Sequence, residues 1–137
     1  MTPESLAALH ARCFTMPRPW SAPEFAALLI SNGVFLESTA AGFALGREIA
    51  GESELLTLAV EPSLQRQGHG HRLLTAFEAE SRKRGATGAL LEVAATNTGA
   101  RNLYKSAGYR ESGRRPKYYA PLQGEKIDAI LMCKSLI

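Results

Sequence analysis

Apolar positions along the chain change period several times, and the changes divide it into elements. Leu6, Leu9 and Cys13 recur at helical spacing behind Thr2, which can cap, and Pro3, which suits a first turn. The pattern predicts a helix over residues 3–14. Pro17 and Pro19 break it. Ser21-Ala22-Pro23-Glu24 is a capping box ahead of Phe25, Leu28 and Leu29 on one face, so a second helix follows, ended by Asn32-Gly33. Runs at about 34–39, 42–49 and 54–61 then read as strands, with Gly42 and Gly51 at the short turns between them. Adjacent strands joined by short turns predict an antiparallel meander.

Helical spacing returns after Gln65–His71, with Leu73, Leu74 and Phe77 on a core stripe and Gly85 placed to stop a helix at about Arg84. Gly88 to Ala94 alternates as a strand, with Leu90, Glu92 and Ala94 on one face and Ala89, Leu91 and Val93 on the other. Asn97 to Ala107 reads as a short helix stopped by Gly108. Tyr109–Arg114 and Lys126–Leu136 read as a final hairpin with a loop of about ten residues. The order ααβββαβαββ predicts an α+β (mixed α/β) class built on a mostly antiparallel sheet. With 137 residues and no internal repeat or low-complexity linker, the expectation is one domain, 1–137.

Composition adds limits. Hydrophobic residues make up 45%, an ordinary globular value. No run of about 20 apolar residues predicts a membrane span, and the first residues lack a basic segment leading into an apolar one, so a cytoplasmic location without a membrane partner is the default. Cys13 and Cys133 lie in apolar stretches and read as two buried thiols rather than a disulfide. A net charge of +3 is too mild to imply a nucleic-acid partner but suits an anionic cofactor. Arg101, Lys105, Arg110, Arg114, Arg115 and Lys117 cluster with Glu111 as the one acid among them. They form either a solvated face or a docking surface for phosphates or for an RNA-rich particle.

Candidate chemistry starts at Gln65-Arg66-Gln67-Gly68-His69-Gly70-His71. Two glycines at a strand-to-helix turn let backbone approach a ligand, the helix N-terminus offers unpaired N–H groups, and Arg66 and His71 add cationic character, which together make a seat for a pyrophosphate. A dinucleotide fingerprint would need a third glycine, and a P-loop a Gly-Lys-Ser/Thr; neither is present. Glu92, flanked by apolar neighbours, sits either on a solvated face or in a cleft, where it could act as a general base. Tyr104 falls on the Ala100, Leu103, Tyr104, Ala107 stripe and is either a core residue or, with its hydroxyl in a cleft, a general acid. Asn97 is explained by N-capping. His69, His71 and His10 do not form a metal site with the available cysteines, so no metal is expected. Trp20, Tyr118 and Tyr119 either pack element ends or wall a groove for a peptide.

Together these features resemble the GCN5-related N-acetyltransferase superfamily. Gln65-x-x-Gly68-x-Gly70 is similar to its acetyl-CoA loop, and the run ending Leu58-Ala59-Val60 to the strand whose backbone bonds the pantetheine arm. Pro19-Trp20-Ser21, Leu91-Glu92-Val93, Asn102-Leu103-Tyr104, Gly108-Tyr109, Arg115-Pro116-Lys117-Tyr118-Tyr119 and Asp128-Ala129-Ile130-x-Met132 resemble the bacterial ribosomal-protein-alanine N-acetyltransferase (RimI-type) subfamily. The resemblance implies a sheet splayed at the cofactor site, acetyl-CoA as cosubstrate, Glu92 as general base and Tyr104 as general acid. It also implies that Leu58, Ala59 and Val60 hold the pantetheine, that Arg66, Gln67, Gly68, His69, Gly70 and His71 hold the pyrophosphate, and that Asn97 contacts the cofactor. Trp20, Tyr118 and Tyr119 would bind the acceptor. The implied substrate is a peptide partner, the N-terminal alanine of small-subunit ribosomal protein eighteen, met by a monomer or weak dimer. Another acceptor amine, or an acyl-CoA-binding module without catalysis, are the competing readings. One departure stands out: the superfamily opens with a strand, and here the first predicted element is a helix, which leaves the strand at 34–39 as a sheet edge.

Overall fold

The computed structural model describes residues 1–15, 17–121 and 124–137. Helix α1 (Pro3–Cys13) starts at a reciprocal cap: the Ser5 N–H donates to Thr2 Oγ1 at 3.1 Å and the Thr2 N–H donates to Ser5 Oγ at 2.9 Å. Helix α2 (Ala22–Leu29) is capped in the same way by Ser21 and Glu24. Strands β1 (Val34–Thr39), β2 (Gly42–Ile49) and β3 (Glu52–Val60) form the expected antiparallel meander. A 3-10 turn (Pro62–Leu64) leads to α3 (His69–Lys83), followed by β4 (Gly88–Ala94), α4 (Thr98–Ser106), β5 (Arg110–Tyr119) and β6 (Ile127–Ser135). Among the described residues no strand precedes α1, and β1 lies at one edge of a six-stranded sheet ordered β1-β2-β3-β4-β6-β5.

Two apolar layers sandwich the sheet. On one face Leu73, Leu74 and Phe77 of α3 pack on Phe35, Ala44, Leu55, Ala89, Leu91 and Val93, and Tyr104 of α4 joins them. On the other, Leu6 and Leu9 of α1 and Phe25 of α2 meet Phe43, Leu45 and Ala59. β4 behaves as its alternation predicts: Ala89, Leu91 and Val93 are buried. Opposite residues of an antiparallel pair share a face. Glu92 and Leu90 therefore lie with their β6 partners Leu131 and Cys133 on the other face, and all four are half-buried. No helix among the described residues is long and apolar enough to cross a membrane.

The C-terminal hairpin differs from its sequence reading. The pattern predicts a strand ending at Arg114, but β5 continues through Pro116 to Tyr119, so the connection shrinks to residues 120–126. Proline lacks the donor a ladder needs and is tolerated on an edge or at a bulge. β5 has both: it is the outer strand, and its register with β6 slips between Arg115 and Tyr119. Asp128 grips the slip, accepting from the Lys117 N–H at 2.8 Å and from Arg114 Nη1 at 2.9 Å, and these donors hold its carboxyl below the usual range. The cysteines also differ. Both are free and half-buried, and Cys13 lies at the cleft described next.

Candidate active site

β3 and β4 run parallel and pair only from Glu52–Leu55 to Gly88–Leu91. Beyond that point they separate, and the cause is visible on the other side of β3. Along β2, Leu45 and Gly46 are consecutive, but their β3 partners are Thr57 and Leu55, so Leu56 is an extra, bulged residue. A bulge bends its strand and adds twist. It also reverses the alternation: Leu55 belongs to the α3 face, Leu56 packs on the α1/α2 face beside Thr57, and Leu58 and Val60 return to the α3 face. The Glu61 N–H donates to the Ala41 carbonyl at 2.8 Å, which fixes the hydrogen-bonding phase of the β2–β3 ladder. In that phase the backbone groups of Thr57 and Ala59 face β2, and those of Leu58 and Val60 face the gap left by β4. The gap opens into a cleft of about 900 Å³, within the usual range for small-molecule sites.

One end of the cleft is the loop before α3. Arg66 and Gly68 both have left-handed backbone, at φ 63° and 86°. A Cβ at Gly68 would meet no atom within 4 Å, so it is the backbone angle and not space that favours glycine there. No side chain caps α3, and the first backbone bond after Gln65 runs from the Arg72 N–H to the Gly68 carbonyl. The N–H groups from Arg66 to His71 therefore have no acceptor among the described residues, a ready seat for an anion. Gly70 allows a close approach: a Cβ there would sit 3.0 Å from Leu103 Cδ2. Arg66, Gly68, Gly70 and His71 line the cleft. Gln67 and His69 do not, and His69 Nδ1 instead meets Arg72 Nη1 at 3.2 Å on the surface.

Where β4 leaves β3, its first residue without a β3 partner is Glu92. The carboxylate faces the cleft, accepts from Tyr119 Oη at 3.3 Å and lies 3.4 Å from Arg115 Nε. Burial, then the neighbouring Glu92 charge, pushes the Tyr119 hydroxyl well above its ordinary value. Tyr104 lines the same space from α4 and is 7% exposed. It is both core and cleft: its ring meets Tyr109 edge-on at 6.0 Å, while its hydroxyl makes no hydrogen bond among the described residues. Burial raises its pKa, so it stays protonated across the neutral range. Asn97 also lines the cleft, and its Oδ1 is used as the α4 cap, accepting from the Ala100 N–H at 3.2 Å.

The remaining wall comes from α1 and the segment after it. His10 is 1% exposed and uses both ring nitrogens. Nδ1 accepts from the Trp20 N–H at 3.0 Å, which puts the proton on Nε2, where it is donated to Thr57 Oγ1 at 2.9 Å. The ring stacks on Phe14 and Trp20 at 4.3 and 5.0 Å, and burial lowers its pKa to about 4. The Cys13 thiol donates to the Val60 carbonyl at 3.2 Å, which also accepts from Gln65 Nε2 at 3.1 Å. Burial raises the thiol pKa. Trp20, Tyr118 and Tyr119 line the cleft. Sequence reading missed His10, Cys13 and Arg115 as site residues. His10 sits on the buried stripe of an otherwise ordinary helix, and nothing local marks its partners 10 and 47 residues away. Among the described residues no group of three His, Cys, Asp or Glu could hold a metal.

The acetyltransferase (GNAT) family model matches residues 4–109. The [ribosomal protein bS18]-alanine N-acetyltransferase of Escherichia coli K12 is 36% identical over 135 residues, covering 92% of this chain and 87% of that protein. The N-alpha-acetyltransferase RimI of Mycobacterium tuberculosis is 35% identical over 122 residues, covering 82% of this chain and 75% of the relative. The crystal structure of the Escherichia coli ribosomal-protein-S18-alanine N-acetyltransferase superposes with a TM-score of 0.85 at 31% identity, over 98% of this chain and 87% of that one. By the family match and these identities, the chain belongs to the acetyltransferase (GNAT) family of acetyl-CoA-dependent N-acetyltransferases.

Proposed function

We propose that residues 1–137 form one catalytic unit that acetylates a protein N-terminal α-amine, the N-terminal alanine of ribosomal protein S18, by direct transfer within the cleft. The observation that carries this reading is the parting of β3 and β4. One wall presents the Leu58 backbone and the Val60 N–H, which have no β4 partner, and the other presents Glu92 at the first position without a β3 partner, with Tyr104 lining the same space. The relatives that this chain matches over most of its length bear names for that activity, which supports the choice of acceptor.

The residues fit acetyl-CoA. The uncapped N–H groups before α3, with Arg66 beside them, suit its pyrophosphate, and the free ladder groups of Leu58 with the Val60 N–H suit an amide-bearing arm. The cosubstrate supplies an acetyl thioester. Glu92 takes the proton of the acceptor amine. Tyr104, held neutral by burial, keeps a proton for the departing thiolate, and exclusion of water raises the proton affinity of that sulfur as it does of the phenol. The Val60 N–H, aimed into the gap, can polarise a carbonyl. An α-amine of pKa about 8 is neutral to roughly 10% at pH 7, whereas a lysine amine near 10.4 is neutral to only about 0.04%. One carboxylate is base enough for the first.

Glu92→Gln tests the assignment. Turnover on an alanine-initiated peptide should fall at least about tenfold at pH 7. The deficit should shrink as pH rises and the amine deprotonates unaided, while the acetyl-CoA KM stays within about twofold. An unchanged pH–rate profile would remove Glu92 as the base.

A further inference from the structure

α4 carries Tyr104, is only Thr98–Ser106 long, and is tied by side-chain hydrogen bonds at both ends as well as by its apolar stripe. At its far end, Lys134 Nζ donates to the Ala107 carbonyl at 2.8 Å; at its near end, Arg101 Nη1 donates to the Ala95 carbonyl at 2.9 Å. The tie on the cleft side comes from the anion loop. His71 Nε2 lies 2.8 Å from Ser106 Oγ, and Ser106 Oγ donates its single proton to the Leu103 carbonyl at 2.7 Å. The serine can therefore only accept from His71, so Nε2–H is the donor and is committed to α4. Leu103, which receives the serine proton, directly precedes Tyr104 and packs its Cδ2 against Gly70, where even a Cβ would be tight at 3.0 Å. Consecutive residues of the loop thus hold the two residues on either side of Tyr104's turn.

We propose that His71 is a positioning residue: it fixes α4, and with it Tyr104, against the N-terminus of α3, and is not a ligand of the pyrophosphate. The inference rests on the reading of Tyr104 as general acid. Anion affinity in the loop comes from the unpaired N–H groups of Arg66 to His71, which need no imidazole, whereas the distance from the bound thioester to the phenol depends on where α4 sits. Placement errors near 1 Å are enough to slow transfer severely.

The test uses His71→Ala, His71→Gln, Ser106→Ala and the His71→Ala/Ser106→Ala double variant. Turnover on an alanine-initiated peptide is compared with CoA affinity by calorimetry. His71→Ala should lower kcat about three- to tenfold, the value of one such hydrogen bond, with the CoA Kd within about twofold of wild type. Ser106→Ala should reproduce the loss, the double variant should be no worse than either single one, and His71→Gln, whose amide can still donate to Ser106, should recover most of kcat. A CoA Kd weakened tenfold or more with kcat unchanged would make His71 an anion ligand and overturn the proposal, as would a Ser106→Ala enzyme with full turnover. If Tyr104→Phe leaves kcat intact, the general-acid reading fails by itself. Hydrogen exchange of the α4 amides then decides the tie: faster exchange in His71→Ala supports it, and unchanged exchange overturns it.

Discussion

Glu92 and Tyr104 sit in different physical settings, and each setting suits its assigned step. The carboxylate is at the cleft wall with a phenol and a guanidinium beside it, whereas the phenol is in the core with no partner for its hydroxyl among the described residues. Tyr104→Phe keeps the ring in its packing and removes the hydroxyl with the proton it would donate, so kcat should drop about 10²-fold or more with CoA affinity unchanged. Equal loss of affinity and turnover would make Tyr104 a packing residue. His10 yields a stability prediction. Its folded pKa, about 4, lies below the ordinary value of 6.5, so between these values the unfolded chain binds more protons and stability falls as pH is lowered through that window. Because the ring is buried and bonded at both nitrogens, the loss should be on the order of 2–3 kcal/mol by pH 4. Urea midpoints of wild type and His10→Gln should diverge above pH 6 and converge toward pH 4.5. Parallel curves would contradict the assignment. At this scale Glu92, Asn97 and Tyr104 were legible because each sits at a marked place: mid-strand, helix cap, helix stripe. His10 and Arg115 were not, since their roles come from partners brought in by the fold.

Among the elements, the meander, the capped helices and the glycine loop follow from short-range patterns, and those patterns are realised. The bulge at Leu56 could not be read. In Leu55-Leu56-Thr57-Leu58-Ala59-Val60 nearly every position is apolar, so no alternation shows where the faces swap. That one extra residue both aims Leu58 and Val60 into the cleft and parts β3 from β4. The extension of β5 was hidden for the opposite reason: Pro116 is a strand breaker that an edge bulge accommodates. Gly46 on β2, next to the bulge, gives an element-scale prediction. A Cβ there would lie 2.6 Å from Phe35 Cζ and 2.7 Å from Phe77 Cε1, two rings stacked at 5.8 Å under Arg84. Gly46→Ala should destabilise by about 1–3 kcal/mol through overpacking, read as a lower urea midpoint with the slope unchanged. A neutral result would mean that the β1–α3 layer yields more readily than its burial implies.

Over the whole molecule, the fold places two chemically distinct walls on either side of one gap and leaves the helix-capped faces to supply stability. The basic cluster that sequence left undecided is in good part paired: Arg101 with Glu111, Arg114 with Asp128 and Arg115 with Glu92. Exposed pairs of this kind contribute little stability, and they reduce the free positive charge on β5, which favours the solvated-face reading over a phosphate-docking one. The splayed sheet, by contrast, has no counterpart in composition or net charge; only the family resemblance implies it from the sequence, and its cause at Leu56 shows once β2, β3 and β4 are side by side. Acetyl transfer to a protein α-amine in that gap can be read out by mass spectrometry of peptides incubated with the enzyme and acetyl-CoA. One peptide begins with the free alanine of the S18 N-terminus, and the other has the same sequence with a blocked N-terminus and an added internal lysine. The expected result is a gain of one acetyl group on the first peptide, located on its α-nitrogen, no gain on the second, and loss of the product with Glu92→Gln. Acetylation of the lysine in the blocked peptide at a comparable rate would contradict it.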